Sequence, residues 1–153
     1  MTPCIKLLKK RKIAYTLHQY THDKTTSSYG KEAIEKLGVD ADRVFKTLIV
    51  SVDGVLVVAV VPVLSMLSMK LLAKRMGKKK AIMADVLTVE KTTGYILGGV
   101  SPLAQKKRLP TFIDSSAGIF KTIYVSAGKR GLEVELSPHD LSALTGAIFE
   151  GLC

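Results

Sequence analysis

Two β-rich runs, Arg43–Val52 and Val55–Val63, are separated by nothing more than Asp53-Gly54. A two-residue Asp-Gly connection suits a type I′ turn, whose central residues both need positive φ and whose twist matches that of paired strands. The pair therefore predicts an antiparallel hairpin. Both runs are nearly continuous in apolar residues instead of alternating with polar ones, so both faces of the hairpin should be covered. This requirement excludes an exposed two-stranded arm and calls for layers of structure on either side.

The flanking segments supply those layers. Thr2-Pro3 suits an N-cap followed by proline in the first helical turn, opening a helix to about Lys12 with Ile5 and Leu8 inward. Tyr15–Tyr20 alternates as a strand does, and Thr21–Tyr29 is a polar loop. Gly30–Gly38 predicts a short helix stopped by its last glycine. Met66–Met76 has helical spacing closed by Gly77, with its methionines read as core filling. Lys80–Met83 is a strand and Ala84–Thr92 a helix with Asp85 near its start. Gly94–Pro102 is irregular. Thr111–Asp114, Lys121–Ser126 and Leu132–Leu136 are strands, with a turn at Gly128–Gly131. Ser137-Pro138-His139-Asp140 opens a last helix, running to about Gly146. Strands outnumber helices and no βαβ unit recurs, so the expected fold is α+β, a mixed, barrel-like sheet with peripheral helices. Residues 1–153 are read as a single domain, since a chain of this size can bury about 70% of its unfolded surface.

Charge narrows the function. The formal net charge is +10, with Lys6, Lys9, Lys10, Arg11 and Lys12 in one cluster, Lys70, Lys74, Arg75 and Lys78–Lys80 in a second, and Lys106, Lys107 and Arg108 in a third. Such a surface concentrates a polyanion such as nucleic acid. Aromatic residues are only 6% of the chain, so backbone charge should contribute more than base stacking. No apolar run reaches the length of a membrane span, because Val55–Leu64 has about half of it and includes Pro62. The first residues lack an apolar h-region and a cleavage site, and cytoplasmic residence is expected. Cys4 and Cys153 have neither disulfide-framework nor zinc-site spacing.

Several standard chemistries have no footing. His18, His22 and His139 share no metal-ligand spacing, so no metal or cofactor is expected, and surface or capping roles suit His18 and His22. No GxSxG, HExxH, P-loop or GxGxxG pattern follows a strand. Three features could carry chemistry. Lys46 interrupts an apolar strand and either guards an edge or points into a cleft. Gly98-Gly99-Val100-Ser101-Pro102 is either an ordinary turn or a backbone cradle for an anion or oxyanion. Tyr124-Val125-Ser126 leads into Ala127-Gly-Lys-Arg-Gly131, a hydroxyl at a strand end before a basic turn.

Those three segments, Phe45-Lys-Thr-Leu48, Thr93–Arg108 (TGYILGGVSPLAQKKR) and Ile123–Gly131 (IYVSAGKRG), resemble the signatures of the YbaK family. Its members are bacterial Cys-tRNA(Pro) deacylases, similar to the editing domain inserted in prolyl-tRNA synthetase. The resemblance spans nearly the whole chain. It implies a mixed, barrel-like α+β fold and editing in trans of mischarged tRNA. The implied chemistry is attack by the substrate's own cysteine thiolate on its ester, which needs no catalytic triad. By position it implies that Lys46, with Thr47 beside it, holds the terminal nucleotide or the carbonyl oxygen. Tyr20 and Tyr29 would wall the pocket, Gly98 and Gly99 would present backbone groups to the ester, and Ser126 and Glu133 would lie near it. Aminoacyl-tRNA is the implied partner, with a transient association with prolyl-tRNA synthetase. Ala104 and Ala127 stand where relatives often have glycine, which would strain the backbone wherever φ must be positive. Ala127 also leaves open a deacylase for another small aminoacyl group such as alanine, or a tRNA-binding module without catalysis.

Overall fold

The computed structural model describes residues 1–153. Helix α1 (Pro3–Lys10) starts where Thr2 caps it, the Thr2 hydroxyl accepting from the Ile5 N–H at 3.3 Å, and it buries Cys4, Ile5 and Leu8. Strand β1 (Thr16–Gln19) and helix α2 (Tyr29–Leu37) follow, the helix closing on Gly38 in the left-handed region. Next come β2 (Phe45–Val52), β3 (Val55–Pro62), α3 (Met69–Arg75), β4 (Ala81–Met83) and α4 (Val86–Thr93). The chain ends with β5 (Thr111–Asp114), β6 (Ile123–Lys129), β7 (Leu132–Leu136), α5 (Pro138–Thr145) and β8 (Ile148–Glu150).

The hairpin forms as its turn residues require. Asp53 and Gly54 have φ of 46° and 84°, and the register runs unbroken from Val52 opposite Val55 to Phe45 opposite Pro62. Both faces are covered. Phe45, Ile49, Val58 and Val60 join the larger core with α1, β6 and β7, while Val50, Val52, Val57, Ala59 and Val61 pack under α3 and Leu152. Burying these side chains is the main stabilising term, each worth about 1.5–3 kcal/mol. Helix α3 is shorter than the methionine pattern suggested because Ser68 caps it, its hydroxyl accepting from the Leu71 N–H. Met66 consequently lies outside the helix and is 85% exposed, so it fills no core; Met69 and Met76 do pack against it.

The strands do not close into a barrel. They form two open sheets, one ordered β1-β7-β6 and the other β4-β2-β3-β5-β8, with β3-β5 and β5-β8 parallel and the remaining pairs antiparallel. The mixed α+β reading holds, and the barrel-like one is corrected. Closure would need continuous pairing all the way round. Here the sheets meet through a single bridge, Val44 to Tyr124, and β4 pairs with β2 only over Val50–Val52. The stretch Phe45–Leu48 is therefore paired on its β3 side alone.

Of the two alanines that replace common glycines, one is strained and the other is not. Ala127 is fully buried and is not among the residues with positive φ. Ala104 has φ of 57°. Its neighbours are pinned: the Tyr95 hydroxyl donates to the Leu103 carbonyl at 2.7 Å, and Gln105 Nε2 donates to the Ser101 carbonyl at 3.0 Å. The segment cannot relax to relieve the Cβ. Ala104→Gly should therefore stabilise the protein by about 0.5–1 kcal/mol, the relief of left-handed strain less the extra freedom of an unfolded glycine. Thermal unfolding should show a rise of about 2–3 °C for a chain of this length; an unchanged or lower midpoint would contradict the strain.

Candidate active site

The unpaired stretch of β2 opens onto a cavity of about 290 Å³. Its apolar lining includes Phe45, Met83, Val89 and Val100, and its polar groups come from β2, β7 and the end of β6. Successive residues of a strand leave it on opposite faces. Phe45 and Ile49 belong to the larger core, so Thr47 enters the cavity from that side, whereas Lys46 bounds it from the face shared with Leu48 and Val50. The Lys46 ammonium is half-buried and donates one long bond, 3.4 Å, to the Val63 carbonyl. Lys46 is thus no edge guard turned to solvent; it sits at a gap in the sheet with most of its bonding capacity free.

Ser126 and Glu133 are cross-strand partners of β6 and β7 and share one wall. The Ser126 hydroxyl accepts from the Gly128 N–H at 3.2 Å, which leaves its own hydrogen available. Glu133 is 8% exposed and its Oε2 has no partner, as is also true of Thr47 Oγ1. Burial pushes the Glu133 carboxyl up to about 8, so near neutrality it is largely the neutral acid, able to donate as well as accept. Tyr20 is pushed up to about 12, chiefly by burial and then by the Glu133 and Glu32 carboxylates.

Tyr29 and Gly98 form the other rim with a residue that sequence reading passed over. The Arg130 guanidinium lies over the Tyr29 ring, 4.3 Å from its centroid, and donates through Nε and Nη2 to the Leu97 carbonyl at 3.1 and 2.8 Å. A Cβ on Gly98 would stand 2.5 Å from Arg130 Nε and 2.8 Å from the Tyr29 ring, and Gly98 has φ of 90°. Glycine is required there by space and by backbone conformation together.

Of the residues expected at a site, Tyr20, Tyr29, Lys46, Thr47, Gly98, Ser126 and Glu133 converge on this one cavity. Gly99 does not. Its N–H is already engaged by the Ile96 carbonyl at 2.9 Å, and its Cα faces the Lys129–Arg130 backbone, 3.0 Å from where a Cβ would be. It serves close backbone packing and has no N–H to offer an ester. The unpredicted supports are Arg130, visible in sequence only as one more turn cation, and Glu32. The buried Glu32 carboxylate binds His22 Nδ1 at 2.7 Å, the Asp23 N–H at 2.8 Å and Lys36 at 3.1 Å, fixing the loop between β1 and α2. In sequence Glu32 and Lys36 look like any surface pair four residues apart. His18 likewise pairs with Glu135, at 2.9 Å. No three His, Cys, Asp or Glu side chains converge as metal ligands. No helix is long and apolar enough to cross a membrane.

The cavity is lined by two lysines (Lys46 and Lys129), Thr47 and Ser126, a buried acid and two tyrosines, with no histidine among its lining residues. This arrangement can bind a small ester and polarise it, but it contains no nucleophile–base pair of the protein's own. Known proteins share the sequence and the fold around this cavity. Residues 23–144 match the model of the aminoacyl-tRNA editing domain. The chain is 38% identical over 149 residues to EbsC of Enterococcus faecalis (strain ATCC 700802 / V583), whose name proposes a Cys-tRNA(Pro)/Cys-tRNA(Cys) deacylase; the match covers 97% of this chain and 90% of that one. It is 28% identical over 122 residues to the uncharacterized YwhH of Bacillus subtilis (strain 168), covering 80% and 78% of the two chains. Its fold is that of a hypothetical protein of known crystal structure (TM-score 0.86, 26% identity, 99% of both chains). The same fold occurs in a protein described as a candidate trans-editing enzyme for prolyl tRNA synthetase (TM-score 0.85, 20% identity, 99% of this chain and 97% of that one). With the family model spanning most of its length and a relative at 38% identity across nearly all of it, the chain belongs to the aminoacyl-tRNA editing domain family.

Proposed function

We propose that this protein removes cysteine from mischarged Cys-tRNA(Pro) in trans, the substrate's thiol acting as the nucleophile. The observation that carries this reading is a cavity rich in groups that bind and polarise an ester yet without any protein nucleophile paired to a base. In the reaction the cysteinyl sulfur bonds to its own carbonyl carbon, the ester C–O bond breaks, and the terminal ribose hydroxyl leaves with the proton given up by the thiol. A cyclic thiolactone is released. Lys46 supplies positive charge to the carbonyl oxygen or the adjacent phosphate, Thr47 and Ser126 offer hydroxyls, and Glu133 faces the aminoacyl group. Tyr20, Tyr29 and Gly98 shape the walls.

Such an activity answers a known difficulty, since a binding pocket separates small side chains by only about 1–3 kcal/mol and a synthetase cannot reject all of them at that level. The reading includes residence in the cytoplasm and a transient association with prolyl-tRNA synthetase, where the mischarged product arises. The relation to EbsC supports cysteine as the substrate. The unstrained, fully buried Ala127 gives no reason to prefer another aminoacyl group.

The test is release of labelled amino acid from Cys-tRNA(Pro) and Ala-tRNA(Pro). Cysteine should be released and alanine, which has no thiol, should not. Release of alanine at a comparable rate would overturn thiol attack, and no release of cysteine would overturn the function.

A further inference from the structure

Behind the ridge made by Gly98–Gly99 and the Lys129–Arg130 turn lies a second, larger cavity of about 540 Å³. It is lined by His22, Lys24, Lys129 and Arg130, by Tyr95 and Ile96, and by glycines 94, 99 and 128, with Pro3 at its edge. Four of its ten lining residues are basic types and none is acidic, in contrast to the first cavity with its buried Glu133. Three of its lining residues are glycines, Gly94, Gly99 and Gly128. The two cavities share Lys129, and only the ridge stands between them.

Arg130 is fixed at the crest of that ridge. Stacking on Tyr29 and two bonds to the Leu97 carbonyl hold the guanidinium, and three of its five N–H groups remain for a ligand. Lys106 flanks the same cavity, its Cβ 3.5 Å from where a Cβ on Gly94 would be. A cradle of fixed and flexible cations without an acidic neighbour in its lining suits phosphate oxygens, while an aminoacyl group suits the apolar pocket with its buried acid.

We infer that the second cavity binds the phosphodiester backbone of the single-stranded 3′ end of tRNA, just upstream of the terminal nucleotide whose ester lies in the first cavity. The strand crosses the ridge at Arg130, and Lys24 and Lys129 hold its phosphates. This rests on the deacylase reading and adds where the rest of the strand goes. It also assigns phosphate binding to Lys24, Lys129 and Arg130, of which none belongs to the three basic clusters of the sequence.

Lys24 separates the two sites experimentally because it lines only the second. The variants Lys24→Ala and Lys24→Glu are compared with wild type on Cys-tRNA(Pro) and on 2′(3′)-O-cysteinyl-adenosine, which has no upstream phosphate. On Cys-tRNA, kcat/KM should fall about 3- to 10-fold for alanine and further for glutamate, as befits one charged phosphate contact. The loss should shrink as salt rises from 50 to 200 mM, and turnover of the nucleoside ester should not change, which also shows that the variants are folded. Rates on Cys-tRNA within twofold of wild type, or equal losses on both substrates, would overturn the inference. Binding of uncharged tRNA needs no catalysis: Lys24→Glu should weaken it and lower the slope of log affinity against log salt by about 0.7 or more, one single-strand phosphate contact. Wild type that binds tRNA through Lys24 but releases no cysteine would sustain this site and sink the deacylase reading; an unchanged slope would sink this site alone.

Discussion

Lys46→Ala should lower kcat/KM for release of cysteine from Cys-tRNA(Pro) by about 10²-fold or more, the usual cost of removing one donor that stabilises developing negative charge. The physical basis is the gap in the sheet. β4 covers β2 only at Val50–Val52 and the bridge to β6 lies at Val44, so half-buried Lys46 sits at the edge of the cavity with one long hydrogen bond, to Val63. A charge held there interacts more strongly with a polarised carbonyl or a phosphate than one in bulk water would. The same weak tether means that the fold needs little from it, and the thermal midpoint should move by no more than about 3 °C, equivalent to roughly 1 kcal/mol in a chain of this size. Paired rate and melting measurements check both halves. Equal rates for variant and wild type would remove Lys46 from the mechanism, and a large fall in melting temperature would recast it as a structural residue.

Glu133→Gln should make the protein more stable at alkaline pH and leave it nearly unchanged in mild acid. The sign follows from the direction of the shift. Burial raises the folded-state carboxyl from its ordinary 4.5 to about 8, so between these values the native state holds a proton that the unfolded state has lost. Stability from this group is therefore full below about 4.5 and falls as pH rises through 8. Above that the wild type must keep an unpaired buried charge, and the difference from the neutral glutamine should reach on the order of 4 kcal/mol by pH 9. Urea unfolding at pH 4.5, 7 and 9 would measure it. Curves that stay parallel across this range would show that Glu133 ionises normally, with a partner or water at Oε2. The arrangement also bears on function, since an aminoacyl ester brings a cationic amino group that could offset the cost of ionising Glu133 in the occupied cavity.

Several features of the fold were legible because they depend on neighbours in sequence. Asp53-Gly54 must turn back with positive φ, and Val52 does meet Val55. Thr2, Asp85 and Ser137 cap helices at the positions their side chains suggest, each accepting from backbone N–H groups of its first turn. Strand β8 was not foreseen, since its three residues carry too little pattern to distinguish them from a loop, and it forms because Ile148–Glu150 pair parallel with Phe112–Asp114. Met66 was misplaced because a methionine at helical spacing says nothing about which residue wins the cap.

The candidate site shows the same division. Lys46 and Ser126 stood out by residue type, Thr47 and Glu133 only through the family resemblance, and all four line one cavity. Gly98-Gly99 looked like one cradle, yet its halves do different work: Gly98 borders the cavity beside β2, while Gly99 packs backbone to backbone against Lys129 and Arg130. By itself, the sequence determined the two-faced hairpin, the caps, the basic charge and the set of polar residues available for chemistry, since turn geometry, capping and charge are local properties. Tertiary structure alone decided that the sheets stay open, that the gap beside Lys46 becomes a cavity, that Glu133 is buried without a partner, and that Arg130 stands on a ridge between an apolar pocket and a basic one. Those outcomes depend on which distant segments come together and on how much water they exclude, and neither burial nor dielectric environment is a property of a residue's neighbours in the chain.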